Sequence, residues 1–198
     1  RGDVQLCHRG PGMILGIGRD GGMAERVLVP ADALVRLPSA ISLADASLVE
    51  PLAVAVHGLR RAGVQRGQRL AVVGGGTIGL AAVAAARAFG ASVSLFARHE
   101  HQRAAGERLG ASLLASYWDG LEIPGLRLCL KEIDVVPSSL YGRRGESRDF
   151  DLAARILAEN AEIPRAIITH RVPLEAAEEA FRVAADRKSG AIKVVLQP

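Results

Sequence analysis

The strongest constraint on this chain is a glycine-rich turn that joins an apolar segment to an alanine-rich one. Residues 69–73 are mostly apolar and predict a buried strand. Residues 74–79 follow with glycines spaced as G-x-G-x-x-G, and residues 77–89 have a helical pattern that ends at Gly90. Strand, glycine turn and helix in this order are typical of a dinucleotide site. The sequence therefore predicts an α/β fold with a Rossmann-type, doubly wound parallel sheet.

Each residue of the turn has an expected task. Gly74 allows the tight turn, Gly76 lets the backbone approach a pyrophosphate, and Gly79 lets the helix pack closely on the strand. Thr77 and Ile78 open the helix, whose free N–H groups and positive dipole end would hold the phosphates. These five residues are therefore the candidate cofactor-binding residues of the turn. A purely structural glycine turn is the alternative.

The composition argues against several other classes of protein. Of the 198 residues, 49% are hydrophobic and 4% aromatic, yet no apolar run is long enough to cross a membrane and the N-terminus has no signal-peptide pattern. Two cysteines are too few for a disulfide framework, so we expect a cytoplasmic protein. The net charge of +4 comes from dispersed arginines without interleaved aromatic residues. This pattern favours a phosphate-bearing small molecule over nucleic acid or a membrane as the partner.

Helical and strand patterns alternate along most of the chain, as a parallel sheet requires. Besides the elements around the glycine turn, the sequence predicts helices over 51–62, 100–109, 149–160 and 174–186, and strands over 25–29, 93–97, 132–136, 166–168 and 192–196. The alternation breaks near residues 114–116, where a six-stranded nucleotide fold needs roughly fifty more residues for two further strand–helix units. We expect either an absent segment there or a short, incomplete sheet with exposed apolar edges.

Five segments of the chain carry a family resemblance. They are residues 21–30, 49–57, 62–79, 168–174 and 188–194. In sequence and in order they resemble the medium-chain, zinc-dependent alcohol and polyol dehydrogenases of the sorbitol and threonine dehydrogenase type. The resemblance implies a GroES-like, β-rich catalytic domain whose second part spans residues 1–52, a Rossmann NADP-binding domain over 53–142, and a return to the catalytic domain over 143–198. It also implies that the family's early catalytic segment precedes residue 1.

The resemblance further implies a metal site. Glu50 stands where the family places its last protein zinc ligand, so Glu50 is the candidate catalytic and metal-binding residue. Zn²⁺ would act as a Lewis acid on the substrate alkoxide, with Glu50 binding it directly or through the metal-bound water. The alternative is that the Glu50 charge only favours the N-terminus of the following helix. Cys7 resembles the last of four cysteines that bind a structural zinc in many members, and a buried free thiol is the alternative for it.

Cofactor preference is indicated by the residues after the second predicted strand. An NAD enzyme usually places Asp or Glu there to bind the ribose 2′-hydroxyl, whereas this chain has Ala97 followed by Arg98 and His99. The Arg98 guanidinium, with His99 or His101 nearby, would suit a 2′-phosphate, so the sequence favours NADP, with NAD as the second choice. An exposed basic start to a helix is the alternative. The resemblance adds Lys193, on the final strand, as a basic residue returned to the cofactor pyrophosphate, unless it is simply solvated.

Together with the resemblance, these features predict a zinc-dependent oxidoreductase that transfers a hydride between NADP(H) and a secondary alcohol, polyol or sugar-like substrate. The partners would be that small molecule and copies of the same chain, in a homodimer or homotetramer as in the family. Two alternatives stay open. One is a zinc-free quinone or enone reductase of the same superfamily, against which Glu50 and Cys7 argue, and the other is a non-catalytic NADP-binding protein.

Overall fold

A computed structural model describes residues 10–115, 130, 136, 138 and 140–197 of the chain. Cys7, residue 116 at the predicted break and residues 132–135 of a predicted strand lie outside the described residues. Val136, the last residue of that predicted strand, is described and belongs to no strand. The predictions for Cys7, for the break and for residues 132–135 therefore stay predictions.

Among the described residues, three parallel strands form the central sheet of the fold. The elements in chain order are α1 (Val49–Arg61), β1 (Arg69–Val73), α2 (Thr77–Ala88), β2 (Ser92–Ala97), α3 (Glu100–Arg108) and β3 (Ser112–Ala115). The strands lie side by side in the order β1, β2, β3, with Val73 paired to Phe96 and Ala97 paired to Ala115. Parallel neighbours connected through helices confirm the predicted Rossmann-type α/β fold.

The core of this fold lies between the sheet and the helices. Along β2, Val93, Leu95 and Ala97 are buried, with the period of two that a strand gives its side chains. In α2, Leu80 and a series of alanines are fully or almost fully buried. Small side chains let helices approach closely, so α2 packs along α1, which in turn contacts the helix that begins at Asp149.

A buried ion cluster joins α1 to the first residue of α4 (Asp149–Glu159). Asp149 is 1% exposed and accepts hydrogen bonds from His57 Nδ1 at 2.8 Å, Arg60 Nη1 at 2.7 Å and the Gly142 N–H at 2.8 Å. These donors offset the cost of removing the carboxylate from water. The cluster therefore fixes the start of α4, and the chain just before it, against α1.

The C-terminal part adds a second pair of parallel strands. The remaining elements are the short hairpin of β4 (Arg143–Arg144) and β5 (Ser147–Arg148), then α5 (Glu162–Ile167), β6 (Ile168–Pro173), α6 (Ala177–Ala185) and β7 (Lys193–Gln197). β6 and β7 are parallel, with Ile168 opposite Lys193 and an irregularity before His170. No helix in the described ranges is long and apolar enough to cross a membrane.

Two strand predictions are wrong. Residues 25–29 form no strand, because no described strand lies beside them to complete backbone hydrogen bonds. Leu28 in this segment is 94% exposed. Residues 166 and 167 end α5, and the strand begins only at Ile168. A short buried apolar run has the same pattern in a helix and in a strand, so periodicity alone could not separate them. The N-terminal part, predicted to be β-rich, contains 3₁₀ turns at Gly10–Met13, Ala31–Ala33 and Ala46–Leu48.

Candidate functional site

The glycine turn opens the N-terminus of α2 to solvent. Gly74 has φ +108°, a conformation that side-chain-bearing residues rarely adopt, and its N–H donates to the Phe96 carbonyl at 2.8 Å. Gly76 precedes the first helical residue, and its carbonyl accepts the Leu80 N–H at 2.9 Å. A Cβ at Gly76 would meet no atom within 4 Å. The helix N-terminus therefore faces open space, as an anion site requires.

Two other glycines of the turn are surrounded by close contacts. A Cβ at Gly79 would lie 1.8 Å from the Gly74 carbonyl oxygen, and 3.7 Å from Val72 Cγ1 of β1. A Cβ at Gly75 would lie 2.7 Å from the Cβ atoms of both Ala97 and Gln102. Only glycine fits at either position without displacing its neighbours. The sequence predicted that Gly79 lets α2 pack closely on β1. In the structure, the nearest neighbour of Gly79 is instead the Gly74 carbonyl within the turn.

Thr77 and Ile78 have different surroundings from each other. The Thr77 hydroxyl donates to the Ile192 carbonyl at 2.7 Å, which ties the start of α2 to the residue before β7. Ile78 is 50% exposed at the helix N-terminus. The Thr77 side chain therefore serves a contact within the protein, and its backbone N–H is the group it can offer a phosphate.

Beyond the end of β2 lies a basic cleft of about 760 Å³. Its lining residues are Arg98, His99, Glu100, His101, Arg187, Lys188 and Gly190. The structure thus brings together the predicted residues Arg98 and His99, with His101 beside them. Sequence reasoning missed the contribution of Arg187 and Lys188. In the sequence these two residues are only a basic pair before the last strand. Nothing in the sequence indicates that they lie close to the end of β2.

Arg103 organises the β2 end of this basic cleft. Its Nη1 donates to the carbonyls of Ala97 at 3.3 Å and Arg98 at 3.0 Å, and its Nη2 pairs with the Glu100 carboxylate. The one carboxylate that lines the cleft is therefore charge-compensated. The rings of His99 and His101 stack with centroids 5.4 Å apart. Burial, and secondarily the neighbouring His99, lowers the pKa of His101.

Glu50 interacts electrostatically with both Tyr141 and Lys193. Burial raises the pKa of Glu50, and the positive charge of Lys193 opposes that shift. Burial likewise lowers the pKa of Lys193, opposed by Glu50. The pKa of Tyr141 is raised by burial and then by the Glu50 charge. The charges of Glu50 in the first turn of α1 and Lys193 at the start of β7 therefore act on each other, and Tyr141 had no signal in the sequence.

The described residues do not complete a zinc site around Glu50. Within residues 10–115 and 140–197, no group of three His, Cys, Asp or Glu side chains converges. A catalytic zinc takes three protein ligands and a structural zinc takes four. Glu50 alone therefore does not complete a zinc site, and Cys7 lies outside the described part of the chain.

Comparison with known proteins agrees with this architecture. Residues 51–171 match the family model of the alanine dehydrogenase/PNT C-terminal domain. D-xylulose reductase A of Aspergillus oryzae is 29% identical over 217 residues, which cover 82% of this chain and 60% of that protein. The chain therefore spans about 60% of the length of this curated relative.

Solved structures show the same fold at lower sequence identity. 2R,3R-butanediol dehydrogenase from Bacillus subtilis superposes with a TM-score of 0.80 at 23% identity, covering 100% of this chain and 70% of that one. A protein from Sinorhizobium meliloti 1021, solved bound to NADP, gives a TM-score of 0.79 at 22% identity, covering 98% and 73%. The resemblance drawn from the sequence is thus confirmed. The chain belongs to the alanine dehydrogenase/PNT C-terminal domain family, with its NAD(P)-binding Rossmann-type fold, and is similar to medium-chain alcohol and polyol dehydrogenases.

Proposed function

We propose that this chain binds NADP(H) in preference to NAD(H) and serves an oxidoreductase that acts on a secondary alcohol, polyol or sugar-like substrate. The observation that carries the cofactor preference is the basic cleft at the end of β2. An NAD-specific site places a carboxylate at this position to bind the ribose 2′-hydroxyl. Here the strand ends at buried Ala97, followed by Arg98 and His99 in the cleft, and the nearby Glu100 is paired with Arg103.

The glycine turn supports binding of the cofactor pyrophosphate. The open space at Gly76 allows a phosphate to approach the first N–H groups of α2, and the dipole of that helix favours negative charge there. Lys193 follows Ile192, whose carbonyl is bonded to Thr77, so its charge lies on the segment nearest this helix N-terminus. The bound nicotinamide would supply hydride transfer, while these residues bind and orient the dinucleotide.

Zinc dependence is a separate part of the proposal. Glu50 would contribute one carboxylate to a catalytic zinc, as the family resemblance implies. The described residues do not supply its other ligands, so we derive no catalytic step through the metal. Glu50 and Tyr141 interact electrostatically, since the Glu50 charge raises the pKa of Tyr141.

The names of related proteins support the substrate class. One relative is named a D-xylulose reductase and one structural neighbour a butanediol dehydrogenase, and both names refer to small hydroxylated carbon compounds. The proposal includes a cytoplasmic location, which the composition favours, and a homodimer or homotetramer, as the family resemblance implies. Light scattering on the purified protein would measure the oligomeric state directly.

Calorimetric titration of the protein with NADP⁺ and NAD⁺ tests the proposal. We expect tighter binding of NADP⁺, and we expect Arg98→Gln to weaken NADP⁺ while leaving NAD⁺ unchanged. Arg108→Gln, which removes an exposed arginine at the far end of α3, is the matched control. Equal affinity for both cofactors would refute the preference, and metal analysis showing no zinc in active protein would refute the zinc part alone.

A further inference from the structure

We propose that Arg187 and Lys188 form the second wall of the 2′-phosphate site, opposite Arg98, and so help to determine NADP specificity. This inference rests on the proposed function, because it concerns the same cofactor. It adds residues from the C-terminal part of the chain, 89 or more positions away in sequence from Arg98. The 2′-phosphate would thus be held from both sides rather than from the β2 end alone.

The charges in the basic cleft favour a dianion. Three basic side chains, those of Arg98, Arg187 and Lys188, line it. The single lining carboxylate, Glu100, is paired with Arg103. An arginine offers a planar pair of donors that matches a phosphate, and a lysine adds a compact charge. Both walls therefore present the donors that a phosphate monoester binds.

The turn that carries Arg187 and Lys188 is held in a defined conformation. The Asp186 carboxylate accepts the Lys188 N–H at 2.8 Å, which fixes the backbone of the turn. The Ser189 hydroxyl lies 2.7 Å from the Asp186 carbonyl, 2.9 Å from the Val183 carbonyl and 3.1 Å from the Ala191 N–H. Gly190 closes the turn with φ +74°. Two basic side chains on such a turn lose little backbone entropy when they bind a ligand.

This turn is also fixed relative to the dinucleotide turn. The Thr77 hydroxyl donates to the Ile192 carbonyl at 2.7 Å, two residues after Gly190. The segment that bears Arg187 and Lys188 is therefore tied to the first residue of α2. A cofactor whose pyrophosphate lies at α2 and whose ribose lies at the end of β2 would pass between the two walls.

The test compares NADP⁺ and NAD⁺ binding to the full chain by calorimetry. In the double variant Arg187→Gln/Lys188→Gln we expect the Kd for NADP⁺ to rise roughly 10-fold or more, with the Kd for NAD⁺ unchanged, because two charge-assisted contacts to the phosphate are lost. Arg182→Gln is the control, since it removes an exposed arginine of α6 that does not line the basic cleft. Inorganic phosphate should weaken NADP⁺ binding to the wild type more than NAD⁺ binding, and this difference should be smaller in the double variant.

Three results would overturn the inference in distinguishable ways. If the double variant binds NADP⁺ like Arg182→Gln while Arg98→Gln has lost its preference, the inference fails and the proposed function stands. If NADP⁺ and NAD⁺ weaken equally in the double variant, the turn has only a structural role. If the wild type binds neither dinucleotide, the proposed function fails and the inference fails with it.

Discussion

Two alanine substitutions in the glycine turn should separate cofactor binding from folding. At Gly76 the new Cβ meets no protein atom within 4 Å, and φ of −77° suits alanine. The methyl group would instead occupy the space in which a phosphate approaches the helix N-terminus. At Gly79 the new Cβ would lie 1.8 Å from the Gly74 carbonyl oxygen, so the turn itself must move.

The expected magnitudes follow from these contacts. Gly76→Ala should change the free energy of unfolding by less than about 1 kcal/mol, because the backbone conformation is compatible. If a phosphate loses two charge-assisted bonds of about 1.5 kcal/mol each, the Kd for both NADP⁺ and NAD⁺ should rise roughly 100-fold. Gly79→Ala gains about 1 kcal/mol of helix propensity but loses more to overpacking against backbone, about 3 kcal/mol. Its net loss of about 2 kcal/mol lowers Tm by roughly 4–8 °C in a chain of this size.

Thermal unfolding and calorimetric titration of the two variants measure both quantities. Gly76→Ala should melt like the wild type and bind poorly, whereas Gly79→Ala should melt earlier. Wild-type dinucleotide affinity in Gly76→Ala would show that the open space at Gly76 is not the phosphate site. A wild-type Tm for Gly79→Ala would contradict the close approach to Gly74.

Three further predictions concern other parts of the molecule. Asp149→Ala removes the acceptor of the His57 and Arg60 side chains, and chemical denaturation should show a free energy of unfolding lower by about 3–5 kcal/mol. Asp151→Ala is the control: it removes a surface ion pair and should lower the free energy of unfolding by less than about 1 kcal/mol. The lowered pKa of His101 leaves this side chain neutral above pH 6.5 in the free protein, whereas a bound 2′-phosphate would raise that pKa. The affinity for NADP⁺ should therefore increase as the pH falls from about 8 to 6.5, while the affinity for NAD⁺ stays level. His101→Gln should remove this pH dependence. Thr77→Val removes the hydrogen bond to Ile192, so the free energy of unfolding should fall by about 1 kcal/mol in thermal unfolding. The same change should reduce the selectivity for NADP⁺ over NAD⁺, and unchanged selectivity would show that this bond does not position the C-terminal turn.

The local elements around the glycine turn could be predicted because their signals are local. The apolar run of β1 has the predicted bounds, and α2 ends one residue before its predicted end. Glycine spacing and residue periodicity act over a few neighbouring positions, so they are present in the sequence itself. The same reasoning failed for residues 25–29, where strand formation depends on a neighbouring strand rather than on propensity.

The sequence by itself determined the Rossmann-type fold, the position of the glycine turn, and the replacement of a carboxylate by Ala97 and Arg98 at the end of β2. Only the tertiary structure decided which distant residues share these sites. Arg187 lines one cleft with the residues after β2, although the two segments have no sequence pattern in common. The physical reason is that a side chain's neighbours across a cleft are fixed by tertiary packing and by contacts such as the Thr77–Ile192 and His57–Asp149 hydrogen bonds, which join residues 115 and 92 positions apart.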